Sequence, residues 1–363
     1  MSAAGIDIGG ANLKGARDDG LVVTRPFPLW REHDGLPRAV EKLLTALQPF
    51  DRLAVTMTGE LCDCYADKKE GVLHILSSVE EAAETAPNVW LIDGGLSSIE
   101  MARAEPLRAA AANWHALATW AAGLEGNGDS LLVDVGSTTT DIIRLVAAAP
   151  SCGGLTDTDR LRSGELVYTG IRRTPVCSIL EEADLGGKAS PLAAEHFATT
   201  LDIWLLLGEL SEDPACRSTA DGRPATRRLA QNRLARMLCL DPGELEEKDA
   251  LALAEQAACA QEDKICRAIG RLIEKQKPAG AFISGEGEFL ALRALRSLGL
   301  EDALISSMSG LYDPAVSEAA CAFALARLAR ETGAVSEASA DRQHLIASRT
   351  RSFESKRLDT QDR

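Results

Sequence analysis

Apolar runs separated by glycine-containing turns mark the first sixty residues as strand-rich. The run at 4–8 meets a Gly-Gly turn and then a second strand, and 21–30 continues as a third strand. Apolar residues recur at helical spacing over 36–47, which predicts an amphipathic helix. The apolar run 53–57 predicts a buried strand. This mixture of strands and helices is typical of an α/β domain.

The next sixty residues continue the alternation. Residues 72–86 are predicted to form a helix that Pro87 terminates, and 89–92 a strand that ends at Asp-Gly-Gly. A long alanine-rich helix is predicted over 106–121. Pro106 suits its first turn, because proline is favoured where the backbone N–H needs no helical partner.

The opening pattern returns after a Gly-Asn-Gly-Asp segment that ends at Asp129. The segment LVDVGSTTTDII repeats the order of GIDIGGANLKGA: an apolar strand with an aspartate, a glycine-containing polar turn, and a second strand. An internal repeat of this kind predicts two domains of the same fold. We place the first domain at 1–128 and the second at 129–333, the second carrying a helical insertion.

The rest of the chain is predicted to be mainly helical. Helices are expected over 191–276, strands at 279–284 and 303–306, and a final helix over 313–330. Residues 334–363 are polar and lack apolar periodicity, so we predict a disordered tail.

Charge and cysteine content exclude several classes of function. The net charge of −15 and the pI near 4.9 argue against binding to nucleic acid or to an acidic membrane surface. No apolar run approaches the ~18 residues of a membrane span. Nine cysteines without a Cys-x-x-Cys pair argue against a disulfide scaffold or a zinc ribbon. With no signal peptide at the start of the sequence, a reducing cytoplasm is the expected location.

The two strand–turn–strand segments predict a pair of phosphate-binding loops. Glycines let backbone N–H groups approach phosphate oxygens without a Cβ in the way. Asp7 and Asp134 cannot bind phosphate directly, but each can hold a hydrated Mg²⁺ that bridges to it. The alternative is an aspartate that only forms the turn at a strand end. The predicted diphosphate-binding residues are Gly9, Gly10, Asn12, Gly136, Ser137, Thr138 and Thr139.

This pair of loops resembles the phosphate-1 and phosphate-2 loops of the actin/sugar kinase/Hsp70 superfamily. The resemblance spans 3–333, with 283–287 in the place of the adenosine loop. It implies the α/β fold class, with two RNase H-like (actin-like ATPase) domains around a central, nucleotide-sized cleft.

Two departures from the nucleotide-binding pattern stand out. Ala11 and Asn12 occupy positions where nucleotide-binding members usually carry Thr or Ser, so a hydroxyl donor is missing. Glu286 and Glu288 lie in the third loop, where carboxylates would repel the phosphates of a nucleotide. We therefore expect that ATP is not required, whereas an Mg²⁺-bound substrate diphosphate remains compatible with the loops.

Longer segments resemble one branch related to the hydantoinase/oxoprolinase proteins, the tetrahydromethanopterin-linked C1 transfer pathway proteins. The segments that carry the resemblance include GIDIGGANLKGA, MTGELCDC, AAANWHALA, VDVGSTTTDI, SGELVYTGIRRTPVC, EHFATTLDIWLLLG, DGRPATRRLAQNRLARMLCLD and FISGEGEFL. The resemblance implies a transferase of methanofuran biosynthesis. Its substrates would be an aminomethyl-furanmethanol diphosphate and γ-glutamyltyramine, joined as an aryl ether with release of diphosphate.

Side chains near the predicted loops are candidates for chemistry. Glu60, which follows the strand at 53–57, is the first candidate base, and Lys14 can neutralise phosphate. Asp141 can orient metal or water. The candidate substrate-binding residues are Asn113, His115, Tyr168, Arg172, Arg173, Gly285 and Glu286. An arginine in this set can clamp the glutamyl carboxylate.

Each candidate also has a purely structural interpretation. Lys14 can be a surface lysine, and Glu60 can be a glutamate favoured by a helix dipole. Asn113 and His115 can belong to a packed aromatic core, and the two arginines can lie in a solvated turn.

Two other functions stay open from the sequence. One is an ATP-dependent kinase or a hydantoinase/oxoprolinase-like amidohydrolase, and the other is a non-enzymatic nucleotide sensor or assembly protein. The sequence leaves open the oligomeric state, with a homodimer as one alternative, and whether the acceptor is γ-glutamyltyramine or tyramine. Small molecules are the expected partners, with no nucleic acid and no membrane.

Overall fold

The computed structural model describes residues 2–125, 128–274 and 276–332. Within them, the chain forms two compact units, each with its own sheet. Residues 2–116 and 321–332 belong to unit 1, and 117–320 belong to unit 2.

Unit 1 is built on a six-stranded mixed sheet. Its strands are β1 (Ala3–Ile8), β2 (Asn12–Arg17), β3 (Val22–Pro26), β4 (Arg52–Met57), β5 (Pro87–Trp90) and β6 (Leu96–Ser98). They lie in the order β3-β2-β1-β4-β5-β6, with β1, β4 and β5 parallel and the other neighbours antiparallel. The third strand is shorter than the predicted 21–30, because a short helix begins at Leu29.

Unit 1 contains the final helix, which ends at residue 332, and several helices from earlier in the chain. The earlier ones are α1 (Leu29–Glu32), α2 (Leu36–Leu47), α3 (Lys68–Ala82), α4 (Ile99–Ala104) and the first turn of α5 (Asn113–Glu125). The helix predicted over 36–47 is confirmed. α3 begins earlier than the predicted residue 72, because the Asp67 carboxylate accepts a hydrogen bond from the N–H of Glu70 at 2.8 Å and caps the helix.

The prediction of one helix over 106–121 is wrong in its first half. Pro106–Arg108 forms a single 3₁₀ turn, and α5 begins only at Asn113. Between them, Ala111 has a left-handed backbone with φ of 48°. A left-handed residue cannot continue a right-handed helix, so the alanine-rich composition did not determine the start of the helix.

Alternate residues of β1 face opposite sides of the sheet. Ile6 and Ile8 are fully buried with apolar residues of α2 and α3. On the other side, Gly5 lies against the final helix, residues 320–332, so closely that a Cβ would collide with the carbonyl oxygen of Ala322. Asp7 lies on this second side as well, since strand residues two apart share a face.

Unit 2 is built on a second mixed sheet. Its strands are β7 (Asp129–Val135), β8 (Thr140–Val146), β9 (Ala149–Ser151), β10 (Leu166–Val167), β13 (Gly280–Ser284) and β14 (Ile305–Ser307). The main path of the sheet has the order β10-β8-β7-β13-β14. β9 pairs with β8 beside this path, and β11 (Glu182–Asp184) pairs with β12 (Ala189–Pro191) in a separate hairpin. Strands β7, β13 and β14 are parallel.

The helices of unit 2 surround the core of this sheet. They are the rest of α5, then α6 (Asp157–Ser163), α7 (Thr200–Leu207), α8 (Arg227–Met237), α9 (Glu247–Ile273), α10 (Glu288–Ser297), α11 (Met308–Leu311) and α12 (Pro314–Glu318). Helices were predicted over 191–276, and α7, α8 and α9 lie in this range, separated by loops. Helices commonly end at a residue with a left-handed backbone, and Gly208 is that residue at the end of α7, with φ of 82°.

The two first hairpins repeat one another residue by residue. In β1–β2, Asp7 pairs with Lys14, and in β7–β8, Asp134 pairs with Asp141. The first strand of each hairpin then has a parallel neighbour, β4 in unit 1 and β13 in unit 2. The predicted fold class, α/β with two RNase H-like domains, is confirmed.

The linear domains at 1–128 and 129–333 stay predictions, and the predicted tail at 334–363 lies outside the described residues. In the part of the chain that is described, no helix has the length and apolar character needed to cross a membrane. All nine cysteines are free thiols.

Candidate functional site

The first predicted phosphate loop is a tight turn whose carbonyls are tied back to the protein. The N–H of Gly9 donates to the carbonyl of Asn12 at 3.0 Å and closes the turn. The carbonyls of Gly10 and Ala11 accept hydrogen bonds from the N–H groups of Leu29 and Phe27, both at 2.9 Å. Within the described residues, the N–H groups of Gly10 and Ala11 donate to no backbone carbonyl. The loop therefore has the donors that an anion needs.

Asp7 lies at the end of β1 and is held by a distant amide. Its side chain is 8% exposed, and its Oδ2 accepts a hydrogen bond from Nδ2 of Asn113 at 3.3 Å. The Oδ1 of Asn113 accepts in turn from the N–H of Trp114 at 2.8 Å. The structure thus brings together a predicted metal ligand and a predicted substrate-binding residue.

Lys14 and Glu60 lie near this loop on neighbouring elements. Lys14 stands opposite Asp7 in the antiparallel register, and residues paired in this way share a face of the sheet. Glu60 lies in the 3₁₀ turn Gly59–Leu61 directly after β4 and is 1% exposed. A buried carboxylate at a strand end keeps the role of candidate base open.

The second predicted loop repeats the first. The N–H of Gly136 donates to the carbonyl of Thr139 at 2.9 Å. The carbonyl of Gly136 accepts from the N–H of Ile171 at 3.0 Å, and that of Ser137 accepts from the residues that follow Ile171. In a trans peptide the N–H points opposite to the carbonyl, so the N–H groups of Ser137 and Thr138 point away from this backing segment. Neither donates to a backbone carbonyl of the described residues.

The backing segment approaches the second loop closely at Gly170. A Cβ on Gly170 would lie 2.5 Å from the Gly136 oxygen and the Ser137 carbonyl carbon, and closer still to the Thr138 nitrogen. Only glycine fits here, because these are backbone atoms that cannot move aside without deforming the loop.

The aspartates of the second hairpin have protein partners. Oδ1 of Asp134 accepts a hydrogen bond from the hydroxyl of Ser284 at 2.7 Å, across the parallel pair β7–β13. Asp141 instead forms a buried ion pair with Arg160 of α6. Burial raises the pKa of the Asp141 carboxyl, while the Arg160 guanidinium opposes the rise.

The third predicted loop begins at a glycine that the backbone requires. Gly285 has a φ of +91°, and a Cβ there would collide with the carbonyl of Val135. The next residue, Glu286, accepts hydrogen bonds from Nε of Arg172 to both of its oxygens at 2.7 Å. Burial lowers the pKa of the Arg172 guanidinium, but the hydrogen bond to Glu286 and its negative charge together raise the pKa by more. The net shift is therefore upward. Two predicted substrate-binding residues thus bind each other.

The remaining candidates lie in different surroundings. The indole N–H of Trp90 donates to Nδ1 of His115 at 3.4 Å, and the His115 ring also lies edge-on to Trp114 with centroids 5.3 Å apart. The side chain of Tyr168 is 57% exposed, and Arg173 is exposed as well. Their predicted substrate contacts stay predictions.

No group of three or more His, Cys, Asp and Glu side chains is arranged to hold a metal ion in the described ranges. A Mg²⁺ that is bound with a substrate diphosphate needs fewer protein ligands, because it uses one or two carboxylates, phosphate oxygens and water. Asp7 and Asp134 have the oxygen chemistry for that mode, each at the start of a loop with available N–H donors.

Sequence reasoning missed several partners at these loops. It did not find Ser284 beside Asp134, Arg160 beside Asp141, or the close approach of Gly170. The internal repeat was the only sequence signal for any of these partners. Thr56 of β4 pairs with Asp7, and Ser284 of β13 pairs in the same way with Asp134.

Comparison with known proteins gives a family model and two curated relatives. The hydantoinase/oxoprolinase model matches residues 51–332. The chain is 34% identical over 329 residues to the (4-{4-[2-(gamma-L-glutamylamino)ethyl]phenoxymethyl}furan-2-yl)methanamine synthase of Methanocaldococcus jannaschii, covering 89% of this chain and 96% of the relative. It is 32% identical over 168 residues to the protein of the same name from Methanococcus vannielii, covering 46% of this chain and 75% of that one.

Solved structures show weaker similarity. A ROK family glucokinase from Streptomyces griseus, in complex with glucose and AMPPNP, has 12% identity and a TM-score of 0.48, covering 91% of this chain and all of the glucokinase. The activator of 2-hydroxyisocaproyl-CoA dehydratase from Clostridium difficile has 11% identity and a TM-score of 0.45, covering 93% of this chain and 98% of the activator. At these values the nucleotides in those crystals carry no information about this chain.

Proposed function

This chain belongs to the hydantoinase/oxoprolinase family, and we propose from that premise that it is a diphosphate-releasing transferase of methanofuran biosynthesis. It would join an aminomethyl-furanmethanol diphosphate to the phenol of γ-glutamyltyramine as an aryl ether. The relative from Methanocaldococcus jannaschii is named for the product of such a condensation. Its match to this chain covers 96% of its length.

One structural observation supports this chemistry above the others. Each unit carries a loop after its first strand with the same closing hydrogen bond, Gly9 to Asn12 at 3.0 Å and Gly136 to Thr139 at 2.9 Å. In each loop the carbonyls are bonded to a backing segment, and N–H groups remain to bind an anion. Such donors stabilise negative charge that develops on a leaving diphosphate.

The proposed reaction breaks one carbon–oxygen bond and forms another. The bond between the furanylmethyl carbon and the diphosphate oxygen breaks, and its electron pair leaves with the diphosphate. The furan ring stabilises the positive charge on the carbon, which the phenol oxygen then attacks. The phenol proton passes to a base, for which Glu60 is the candidate.

The other residues act on binding in this proposal. The loop N–H groups hold the diphosphate, and Lys14 adds a positive charge on the face that carries Asp7. Mg²⁺, when bound by Asp7 or Asp134 with the phosphate oxygens, supplies further charge to stabilise the leaving group. ATP has no role in the reaction as proposed.

The test mixes purified protein with Mg²⁺, the furan diphosphate and γ-glutamyltyramine, without ATP, and follows diphosphate and aryl ether together. Equal amounts of both products are expected. If neither forms, and ATP-Mg²⁺ is instead bound or hydrolysed, the transferase is excluded and a kinase or an ATP-assisted amidohydrolase takes its place.

A pair of glycine variants separates loop chemistry from general damage. Gly136→Val adds side-chain bulk to the second loop and should abolish product formation. Gly123→Ala in α5 is the control, because a Cβ there meets no atom within 4 Å, and it should leave the rate unchanged. Equal rates for Gly136→Val and wild type would remove the second loop from the reaction.

A further inference from the structure

A buried network of hydrogen bonds lies behind the second phosphate loop, and one side chain of α9 makes three of these bonds. Gln261, in the middle of α9, is fully buried. Its Nε2 donates to Oγ1 of Thr169 at 3.0 Å and to the carbonyl of Gly170 at 2.8 Å. Its Oε1 accepts from the indole N–H of Trp204 at 3.0 Å. These three hydrogen bonds use both amide donors and the amide oxygen, and they join α9 to the segment 169–170 and to α7.

The Gly170 carbonyl accepts hydrogen bonds from side chains in different parts of the chain. Besides Gln261, the hydroxyl of Thr200 donates to it at 2.7 Å and that of Thr174 at 3.2 Å. The N–H of Gly170 donates to the Thr174 hydroxyl at 2.9 Å. The peptide at residue 170 therefore has a fixed orientation, because rotating it would leave buried donors without acceptors.

The fixed segment in turn shapes the loop. The Cα of Gly170 lies against the peptide between Ser137 and Thr138, and the following N–H groups bind the loop carbonyls of Gly136 and Ser137 at 3.0–3.1 Å. Those carbonyl bonds are what turn the N–H groups of Ser137 and Thr138 away from the backing segment. The contacts thus connect Gln261, through Gly170, to the loop N–H groups that are available to bind an anion.

We propose that Gln261 is a positioning residue that holds the second loop in its anion-binding conformation. It touches no substrate and acts only through the segment 169–173. The part of this proposal that concerns diphosphate rests on the proposed function, whereas the part that concerns loop conformation does not. Gln261 joins α9 to the segment behind the loop, so this helix contributes to the site without contacting the anion.

The same helix offers a matched control. Gln256 also makes tertiary hydrogen bonds with its side chain, accepting from the N–H of Asp184 at 2.8 Å and donating to its carbonyl at 2.9 Å. These bonds join α9 to the β11–β12 hairpin and do not reach the loop. If the measured effects come from a general loosening of α9, replacing either glutamine should produce them. If Gln261 positions the loop, only the replacement of Gln261 should produce them.

The first measurement uses hydrogen exchange of the ligand-free full chain. Gln261→Met keeps the side-chain length and removes the hydrogen bonds. Exchange at the amides of 171–173 should rise by about tenfold, since a typical buried hydrogen bond is worth that factor. Gln256→Met should leave those amides at the wild-type rate. Wild-type exchange at 171–173 in Gln261→Met, or an equal rise in both variants, would overturn the proposal.

The second measurement titrates Mg²⁺ and inorganic diphosphate into each protein, at a temperature where all of them are folded. Diphosphate should bind Gln261→Met about tenfold more weakly than wild type and bind Gln256→Met equally well. Equal affinity in Gln261→Met and wild type would overturn the link to binding. If wild type binds no diphosphate, the proposed function fails, and hydrogen exchange alone decides the positioning role.

A milder pair covers the case in which Gln261→Met does not fold. Thr169→Val removes the hydroxyl that Gln261 binds while keeping the side-chain shape, and Thr169→Ser keeps the hydroxyl. Exchange at 171–173 and diphosphate affinity should change in Thr169→Val and return to wild-type values in Thr169→Ser. No difference between the two variants would count against the network.

Discussion

The Asn113 amide donates to Oδ2 of Asp7 at 3.3 Å, although the two residues are 106 positions apart in the chain. Asn113 is the first residue of α5, so the position of this helix determines how the Asp7 carboxylate is held. The left-handed Ala111 just before the helix makes that position possible. A strained residue beside a candidate site is a common arrangement in enzymes.

Removing the Asn113 amide should weaken the binding of Mg²⁺-diphosphate. Asn113→Ala leaves the Asp7 carboxylate without this donor, so it can rotate away from the loop, and we expect about a tenfold loss of affinity by calorimetry. Asn88→Ala on β5 is the control, because Asn88 is exposed in the same unit. Unchanged affinity in Asn113→Ala would show that the amide does not orient Asp7 for binding.

Replacing Glu60 by Gln should abolish turnover and spare the binding of diphosphate. Gln fills the same buried volume but cannot accept the phenol proton, so kcat should fall by about 10² or more. Glu81→Gln, at an exposed position of α3, should behave as wild type. A Glu60→Gln enzyme with normal kcat would end the assignment of Glu60 as the base.

Arg172 can be tested with two acceptors that differ in one carboxylate. If Arg172 exchanges Glu286 for the glutamyl carboxylate, Arg172→Ala should raise the KM for γ-glutamyltyramine by about tenfold and leave the KM for tyramine unchanged. Arg228→Ala is the control, since this arginine of α8 is exposed in the same unit and is not a candidate for substrate binding. A KM that rises equally for both acceptors would assign Arg172 to the Glu286 pair alone.

The stability of unit 1 should depend on pH near neutrality through His74. Burial and the nearby His33 lower the pKa of the His74 imidazole, whose Nδ1 lies 2.7 Å from the Tyr65 hydroxyl. Asp34 and Glu70 oppose the shift. The folded state therefore binds this proton more weakly than the unfolded chain, whose histidine has a pKa of about 6.5.

The free energy of unfolding should thus be highest above about pH 6.5 and fall as the pH drops toward the folded-state pKa of His74. Urea unfolding between pH 5 and 8 measures it. His74→Gln should flatten this profile, whereas His196→Gln, at an exposed position, should not. A wild-type profile that is flat in this range contradicts the prediction.

The β8–β9 hairpin should become more stable with the residues that its turn requires. Ala147 and Ala148 both have left-handed backbones, with φ of 52° and 59°, in a two-residue turn. Such turns favour Asn-Gly, so the double variant Ala147→Asn, Ala148→Gly should raise the free energy of unfolding by about 1 kcal/mol. Ala149→Gly, within strand β9, should lower it slightly. A double variant no more stable than wild type would refute the argument.

The sequence by itself determined the features that depend on neighbouring residues. The apolar strand β1, the helix at 36–47 and both glycine turns are set within a few residues, and each was predicted correctly. The repeat also placed Asp7 and Asp134 at equivalent positions of two hairpins, because register follows from turn length and side-chain alternation.

Only the tertiary structure decided which distant groups meet at the loops. Asn113 reaches Asp7, Ser284 reaches Asp134, and Arg172 binds Glu286 because separate elements pack at particular distances and angles. A buried polar side chain must find a partner, but composition and periodicity do not say which one. The choice depends on close approaches such as that of Gly170 to the second loop, and such approaches exist only once the sheets and helices have packed.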